Sequence, residues 1–309
     1  MACTSSPPVQ PMASFPTSLL GRLVYHSYIS YGDGSSHLFL LDFSTSSVCQ
    51  IDQPSWGITD PMNAVFSPDG SKILFMGIKN NSWNIFTFKF GDSAPVNLTN
   101  STGDHRNEDP KWIVDPATGI ETGIVFKRDK DIWTMNTDGT SLVNLTNTAL
   151  TYESSMPYFS PDLATLYFTR GAGKALRVYK KVGAIITAVD PSNVAQYYPI
   201  FGGATNLVYA RWNSNHAQLD QTVSYDGTSY TVLPTSDCKS DNSDAWPVDD
   251  QYLFFSGLQS SRVYRLFLGD RTTGYRWSLD AFGVNLDKTK NKLGSCYVDL
   301  KSFTTLVVR

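Results

Sequence analysis

The stretch AVFSPDGSKILF at 64–75 has a cousin at 158–168, YFSPDLATLYF. Both run Phe-Ser-Pro-Asp, a turn, then an apolar run ending in Phe. Proline presets φ and glycine accepts φ > 0, so the tetrapeptide reads as a hairpin joint between two strands. Sliding the motif along the chain gives units that repeat at about 42–47 residues, the spacing of propeller blades. One unit runs from PMNAVFSPDGSKILFMGI through WNIFTFKF to PVNLTN. The next is DPKWIVDPATGIETGIVFKR with DIWTMNTDGTSLVNLTN, followed by MPYFSPDLATLYFTR, LRVYKK and AIITAV. Further units start at YYPIFGGATNLVYARW and AWPVDDQYLFFSGL.

Each unit holds four short β-prone runs punctuated by Gly, Asp, Asn and Pro. A four-stranded sheet cannot bury both faces alone, and radial stacking of blades solves that problem. Residues 22–52 read as the outer three strands of a blade lacking its inner strand. The C-terminal SCYVDLKSFTTLVVR reads as an inner hairpin lacking outer strands. Mixing strands from both termini would close the ring and remove two exposed edges. The expected fold is therefore all-β: a single β-propeller of six four-stranded blades over 22–309, preceded by a flexible segment over 1–21. Seven blades would result if the termini built separate partial blades. A generic β-sandwich would lack the blade-length period.

Composition narrows the function. Aromatics reach 13% while charged residues are only 17%, which favours a globular chain of short strands. Net charge is −3 with no basic block, so no nucleic-acid partner is expected. No run approaches a membrane span, and MACTSSPPVQPMASFPTSLL lacks the pattern of a signal peptide. The chain is then cytoplasmic, or secreted if a leader was removed. Sequons at Asn80, Asn97, Asn100 and Asn144 lean towards secretion, although two belong to a repeated NLT. Cys3, Cys49, Cys238 and Cys296 form no CxxC pair. They suit either two disulfides or four buried thiols, and not a zinc site. No cofactor is expected, and a monomer is.

The repeat FSPDG followed by an apolar strand, with DIWTMNTDGTSLVNLTN, resembles the TolB-type, WD40-like propeller repeat over roughly residues 22–309. That resemblance implies the fold and says little of function. Loops entering the inner strands are polar: GDHRNEDP, TYESSMP, VAQYYP and SDNSDAWP. Second strands end in Lys127-Arg128, Arg170 and Arg211-Trp212. His105, Tyr152 and Arg170 together resemble the His/Tyr/Arg constellation of β-propeller polysaccharide lyases of the ulvan lyase and rhamnose–glucuronate lyase type. The resemblance implies β-elimination on an acidic oligosaccharide or polysaccharide. Arg170 would grip the uronate carboxylate, while His105 and Tyr152 would donate to it or shuttle the proton. Arg211 and Tyr198 are further candidates for substrate binding, with Trp246 placed to stack on a sugar.

Those lyases place another histidine where this chain has GIKNNSWNIF at 77–86, which contains neither histidine nor acid. Tyr152 is then left with both proton transfers, or the site binds uronates without cutting them. Hence two readings stand side by side: a lyase for uronic-acid-containing glycans, and a non-catalytic propeller that binds sugar or protein. A third uses a metal at the channel mouth among Asp237, Asp241, Asp244, Asp249 and Asp250, which are not spaced as an EF-hand loop. GAGK at 171–174 lacks the length and the Ser/Thr of a P-loop.

Overall fold

The computed structural model describes residues 9–148, 151–172, 175–192, 194–202, 206–212, 220–233, 242–258 and 263–299. Among them, strands assemble into six four-stranded antiparallel sheets arranged as propeller blades. Blade 1 takes β1 (Arg22–Tyr28), β2 (His37–Asp42) and β3 (Ser47–Gln50), and its inner strand is β24 (Asn291–Val298). Blade 2 is β4 (Thr59–Phe66), β5 (Lys72–Lys79), β6 (Ser82–Lys89) and β7 (Val96–Asn97). Blade 3 is β8 (Asn107–Val114), β9 (Glu121–Arg128), β10 (Asp131–Met135) and β11 (Val143–Asn144). Blade 4 is β12 (Ser154–Phe159), β13 (Leu166–Arg170), β14 (Arg177–Val182) and β15 (Ile185–Ala188). Blade 5 is β16 (Gln196–Gly202), β17 (Asn206–Trp212), β18 (Asp220–Tyr225) and β19 (Tyr230–Val232). Blade 6 is β20 (Asn242–Pro247), β21 (Tyr252–Leu258), β22 (Tyr264–Asp270) and β23 (Arg276–Ser278).

The ring closes as the incomplete ends imply. β24 pairs antiparallel with β1, Arg22 opposite Val298 and Tyr28 opposite Asn291, so one mixed blade forms and the count is six. The second half of the expected C-terminal hairpin, residues 300–309, lies outside the described residues. Ahead of β1, Val9 bridges Arg276, and Phe15 packs on Phe43, Trp277 and Phe282.

Both repeated motifs do local work. Ser67 and Ser160 each donate their hydroxyl to the Asp two residues on, Asp69 and Asp162, and accept the backbone N–H of Lys72 and Thr165 across the turn. In the NLT repeat, Asn144 Oδ1 accepts the N–H groups of Thr146 and Asn147, while its Nδ2 donates to buried Asp131 at 3.0 Å. Leu98 and Leu145 return their N–H to Ile85 and Ile132, which pins the outermost strand of each blade.

One feature recurs in all six blades. Each inner strand carries a bulge in which two residues oppose one on the neighbouring strand, and the first has positive φ: Asn63, Asp109, Met156, Tyr198, Asp244 and Gly294. The residue that faces each bulge is aromatic and buried: Phe75, Phe126, Phe168, Tyr209, Phe255 and Tyr25. Bulge and ring go together physically. The extra residue bends the inner strand towards the hub, and a flat ring fills the wedge that opens between neighbouring blades. Pro110, Pro157 and Pro199 directly follow three of the bulge residues, where a missing N–H costs the ladder least.

Candidate functional site at the channel mouth

Along the inner strands, chain order is also depth. β8 contributes Glu108 and Asp109 to an upper cleft, Asp109 and Lys111 to a waist, then Lys111, Trp112 and Val114 to a lower cavity. β4 runs the same way, with Asn63 above, Ala64 and Val65 at the waist, and Phe66 below. A channel therefore follows the hub, and the six bulge residues ring its waist.

The upper cleft encloses about 810 Å³ open to solvent and is built around Lys127, Glu108 and Glu153. Lys127 Nζ lies 2.8 Å from Glu108 Oε2 and 2.8 Å from Glu153 Oε1. Glu108 Oε1 accepts from Arg106 Nε at 3.1 Å and from the Tyr31 hydroxyl at 2.6 Å. The Tyr31 ring stacks on Trp83 at 5.2 Å, and the Arg106 guanidinium lies about 6 Å from both rings. Tyr31 is 52% exposed, so the platform presents an accessible ring beside a dense polar network.

Burial and pairing compete at each charge. Burial pushes the Glu108 carboxyl up, but Arg106, Lys127 and Tyr31 together hold it below the usual carboxylate range. For Lys127, burial works against the ammonium, and Glu108 and Glu153 more than offset it, so its pKa is raised. Asp109 shifts the other way, raised by burial and then by neighbouring Glu108. Burial followed by the Glu108 carboxylate keeps the Tyr31 phenol protonated far above its ordinary range. Tyr198, between cleft and waist, is raised by burial and then by Asp244 and Asp109.

The six residues singled out from sequence come to rest in different places. Tyr198 lines the cleft and the waist. Trp246 lines the waist and the lower cavity. Arg170 and Tyr152 meet, with the guanidinium 4.9 Å from the ring centroid, but Arg170 also lies over Phe168 and Tyr179 and is only 8% exposed. Burial lowers the Arg170 pKa, opposed by Tyr179, Tyr152 and Asp131. Arg211 is held at the junction of blades 4 and 5, with Nε 3.1 Å from Asp190 and the guanidinium over Tyr230. His105 turns its Nδ1 to Asp129 at 3.2 Å on the surface.

Strand alternation explains the split. Side chains at i and i+2 share a face, so Arg170 follows Phe168 into the space between blades, and Arg211 follows Tyr209. Lys127, one residue after the equivalent Phe126, points the other way and enters the cleft. Sequence reasoning left Arg106, Glu108, Glu153 and Tyr31 unmarked. Three of them adjoin the chosen residues or the bulge: Arg106 follows His105, Glu153 follows Tyr152, and Glu108 precedes Asp109.

Among the described residues, no group of three or more His, Cys, Asp or Glu is placed to hold a metal ion, and Asp237 and Asp241 lie outside them. Cys49 is exposed and Cys296 buried, both as free thiols, while Cys3 and Cys238 also lie outside the described residues.

No family model matches the chain. The uncharacterized protein Atu1656 of Agrobacterium fabrum is 23% identical over 150 residues, covering 48% of this chain and 50% of its own length. The chain thus spans about half the length of that curated relative. TolB from Acinetobacter baumannii superposes with a TM-score of 0.65 at 11% identity, over 92% of this chain and 68% of its own. Oligogalacturonate lyase from Vibrio parahaemolyticus gives 0.51 at 9% identity, over 83% and 72%. In fold, the chain is a TolB-like six-bladed β-propeller with a weaker likeness to a lyase propeller.

Proposed function

We propose that this protein is a carbohydrate-binding propeller that takes a sugar at the channel mouth without cutting it. The observation that carries the reading is the state of the cleft's ionisable groups. Lys127 is already neutralised by Glu108 and Glu153, and Arg106 by Glu108. A site built for elimination needs donors free to meet charge as it develops. Here the donors are committed to carboxylates in the resting protein. What the cleft offers instead is one accessible aromatic face, Tyr31, beside preorganised Arg, Glu and Asp groups. That pairing suits a sugar, whose apolar ring face stacks while its hydroxyls exchange hydrogen bonds.

Formal charges in the cleft favour a neutral residue at this position. The carboxylates Glu108, Asp109 and Glu153 outnumber the cations Lys127 and Arg106. Burial raises the Asp109 pKa, and Lys127 and Arg106 are already paired with carboxylates. A uronate carboxylate would therefore meet no unpaired positive charge among the described residues here. The lyase reading keeps one observation in its favour, the contact between Arg170 and Tyr152, and an acidic glycan would have to engage that pair.

Calorimetry against neutral and uronate-containing oligosaccharides separates the two. The proposal expects binding of neutral sugars, no rise in the ultraviolet absorbance of an unsaturated uronate, and a loss of about tenfold or more in affinity for Tyr31→Ala. Steady formation of unsaturated product, abolished in Arg170→Ala, would install the lyase reading instead. Binding of every sugar unaffected by Tyr31→Ala would remove the cleft.

A further inference from the structure

The lower cavity, on the face opposite the cleft, has a character of its own. It encloses about 1010 Å³, including its open mouth, and its walls are mainly apolar or aromatic: Phe66, Trp112, Tyr158, Trp246, Val248 and Tyr297. Among the described residues, the cation that lines it is Lys111, which also lines the waist. Asp299 stands at the other end of the lining, on the segment that leaves β24.

Lys111 is half-buried and loosely held. Its Nζ donates to the carbonyl of Pro110 at 3.3 Å, and among the described residues no carboxylate lies within ion-pair distance of it. Burial lowers its pKa, opposed by the more distant Asp109, Cys296 and Asp244. Asp109 is committed elsewhere, with Oδ1 accepting from Asn63 Nδ2 at 2.9 Å and Oδ2 from the Met156 N–H at 3.2 Å. Both Asp109 and Asp244 line the waist and not the lower cavity. A partly desolvated cation without a close counter-charge among the described residues attracts one, and the walls below it attract apolar surface.

We propose that the lower cavity binds a small aromatic carboxylate, its anionic head on Lys111 and its ring among the tryptophans and tyrosines below. The carboxylate supplies the close partner that the described residues do not, as a charge-assisted hydrogen bond in a partly desolvated place. The ring displaces water from an aromatic-lined pocket, which is favourable without further polar contacts. The site is independent of the sugar cleft, because the ring of bulge residues stands between them.

The test uses the full chain with cinnamate and cinnamyl alcohol, which share a ring and differ in charge. Calorimetry and quenching of tryptophan fluorescence both report, since Trp112 and Trp246 line the cavity. The expected result is cinnamate binding at least about tenfold tighter than the alcohol. Lys111→Met should erase that preference while leaving the alcohol unchanged, and Lys111→Arg should keep it. Equal affinity of the two compounds for the unmodified protein, or no binding of either, overturns the proposal whatever the variants do. A Lys111→Met protein that still prefers cinnamate overturns the role of Lys111.

Discussion

Removing residues 291–309 is expected to abolish cooperative folding, so that the shortened chain shows no sigmoidal thermal or urea transition and accumulates as aggregate. The deletion takes away β24, the innermost strand of blade 1, which pairs with β1 over the length of that strand. It also removes buried Cys296 and Tyr297, which pack into the hydrophobic clusters on the blade 2 and blade 6 sides of the ring. Losing the buried Tyr297 ring alone costs about 3–5 kcal/mol, a large part of the whole stability of a domain. The free edge of β1 would add an aggregation hazard at the centre of the molecule. A gentler probe reads the same closure. Gly294 sits at φ +60° in the bulge of β24, and a Cβ there would come within 2.6 Å of His26 Nδ1 and 2.9 Å of Asn63 Oδ1. Gly294→Val should therefore destabilise by about 3 kcal/mol or more through strain and overpacking. A truncated chain with an unchanged melting midpoint would show that the ring is held by something other than β24.

The architecture was legible because its signals are local. The Ser-Pro-Asp joint bonds its own turn, and the NLT segment satisfies its own backbone, so each announces itself within a few residues. Incomplete blades at the two ends pointed to a shared one because an unpaired inner edge is costly. The site was less legible because its geometry depends on phase. A one-residue bulge near the top of each inner strand resets which side chains face the hub, and nothing in a single blade fixes where the count restarts. Lys127 and Arg128 look equivalent in sequence, yet one enters the cleft while the other lies over Trp133. A signal for the phase was present: each second strand carries an aromatic at the position facing the bulge, in KILF, GIVF, TLYF, NLVY, YLFF and RLVY. The residue after that aromatic turns away from the space between blades, which marks Met76 and Lys127 for the cleft.

Lys127→Met should be the most damaging single change in the cleft, and its pH dependence identifies the cause. The substitution keeps most of the apolar stem and removes the ammonium, its charge and its hydrogen-bond donors together. Glu108, whose side chain is 5% exposed, keeps Arg106 and Tyr31 but loses its Lys127 partner, and Glu153 loses its anchor. Breaking a buried pair from one side costs about 3 kcal/mol, which for a chain of this size lowers the melting midpoint by about 6 °C. In the unmodified protein the depressed pKa of Glu108 contributes stability above the ordinary carboxylate range, and this is lost as pH falls through the folded-state value. The raised pKa of Lys127 contributes stability below the ordinary lysine range, lost as pH rises through its folded-state value. Asp109, raised instead of lowered, stabilises on protonation and partly opposes Glu108 on the acid side. Without Lys127, Glu108 moves towards Asp109 in behaviour, because burial then meets less compensation. The stability gap between variant and unmodified protein should consequently narrow as pH falls from about 7 to about 4, where unpartnered carboxyls take up protons. A gap of constant size across that range would assign the loss to packing around the stem and not to the buried charge, and Glu108→Gln combined with Lys127→Met would then recover nothing.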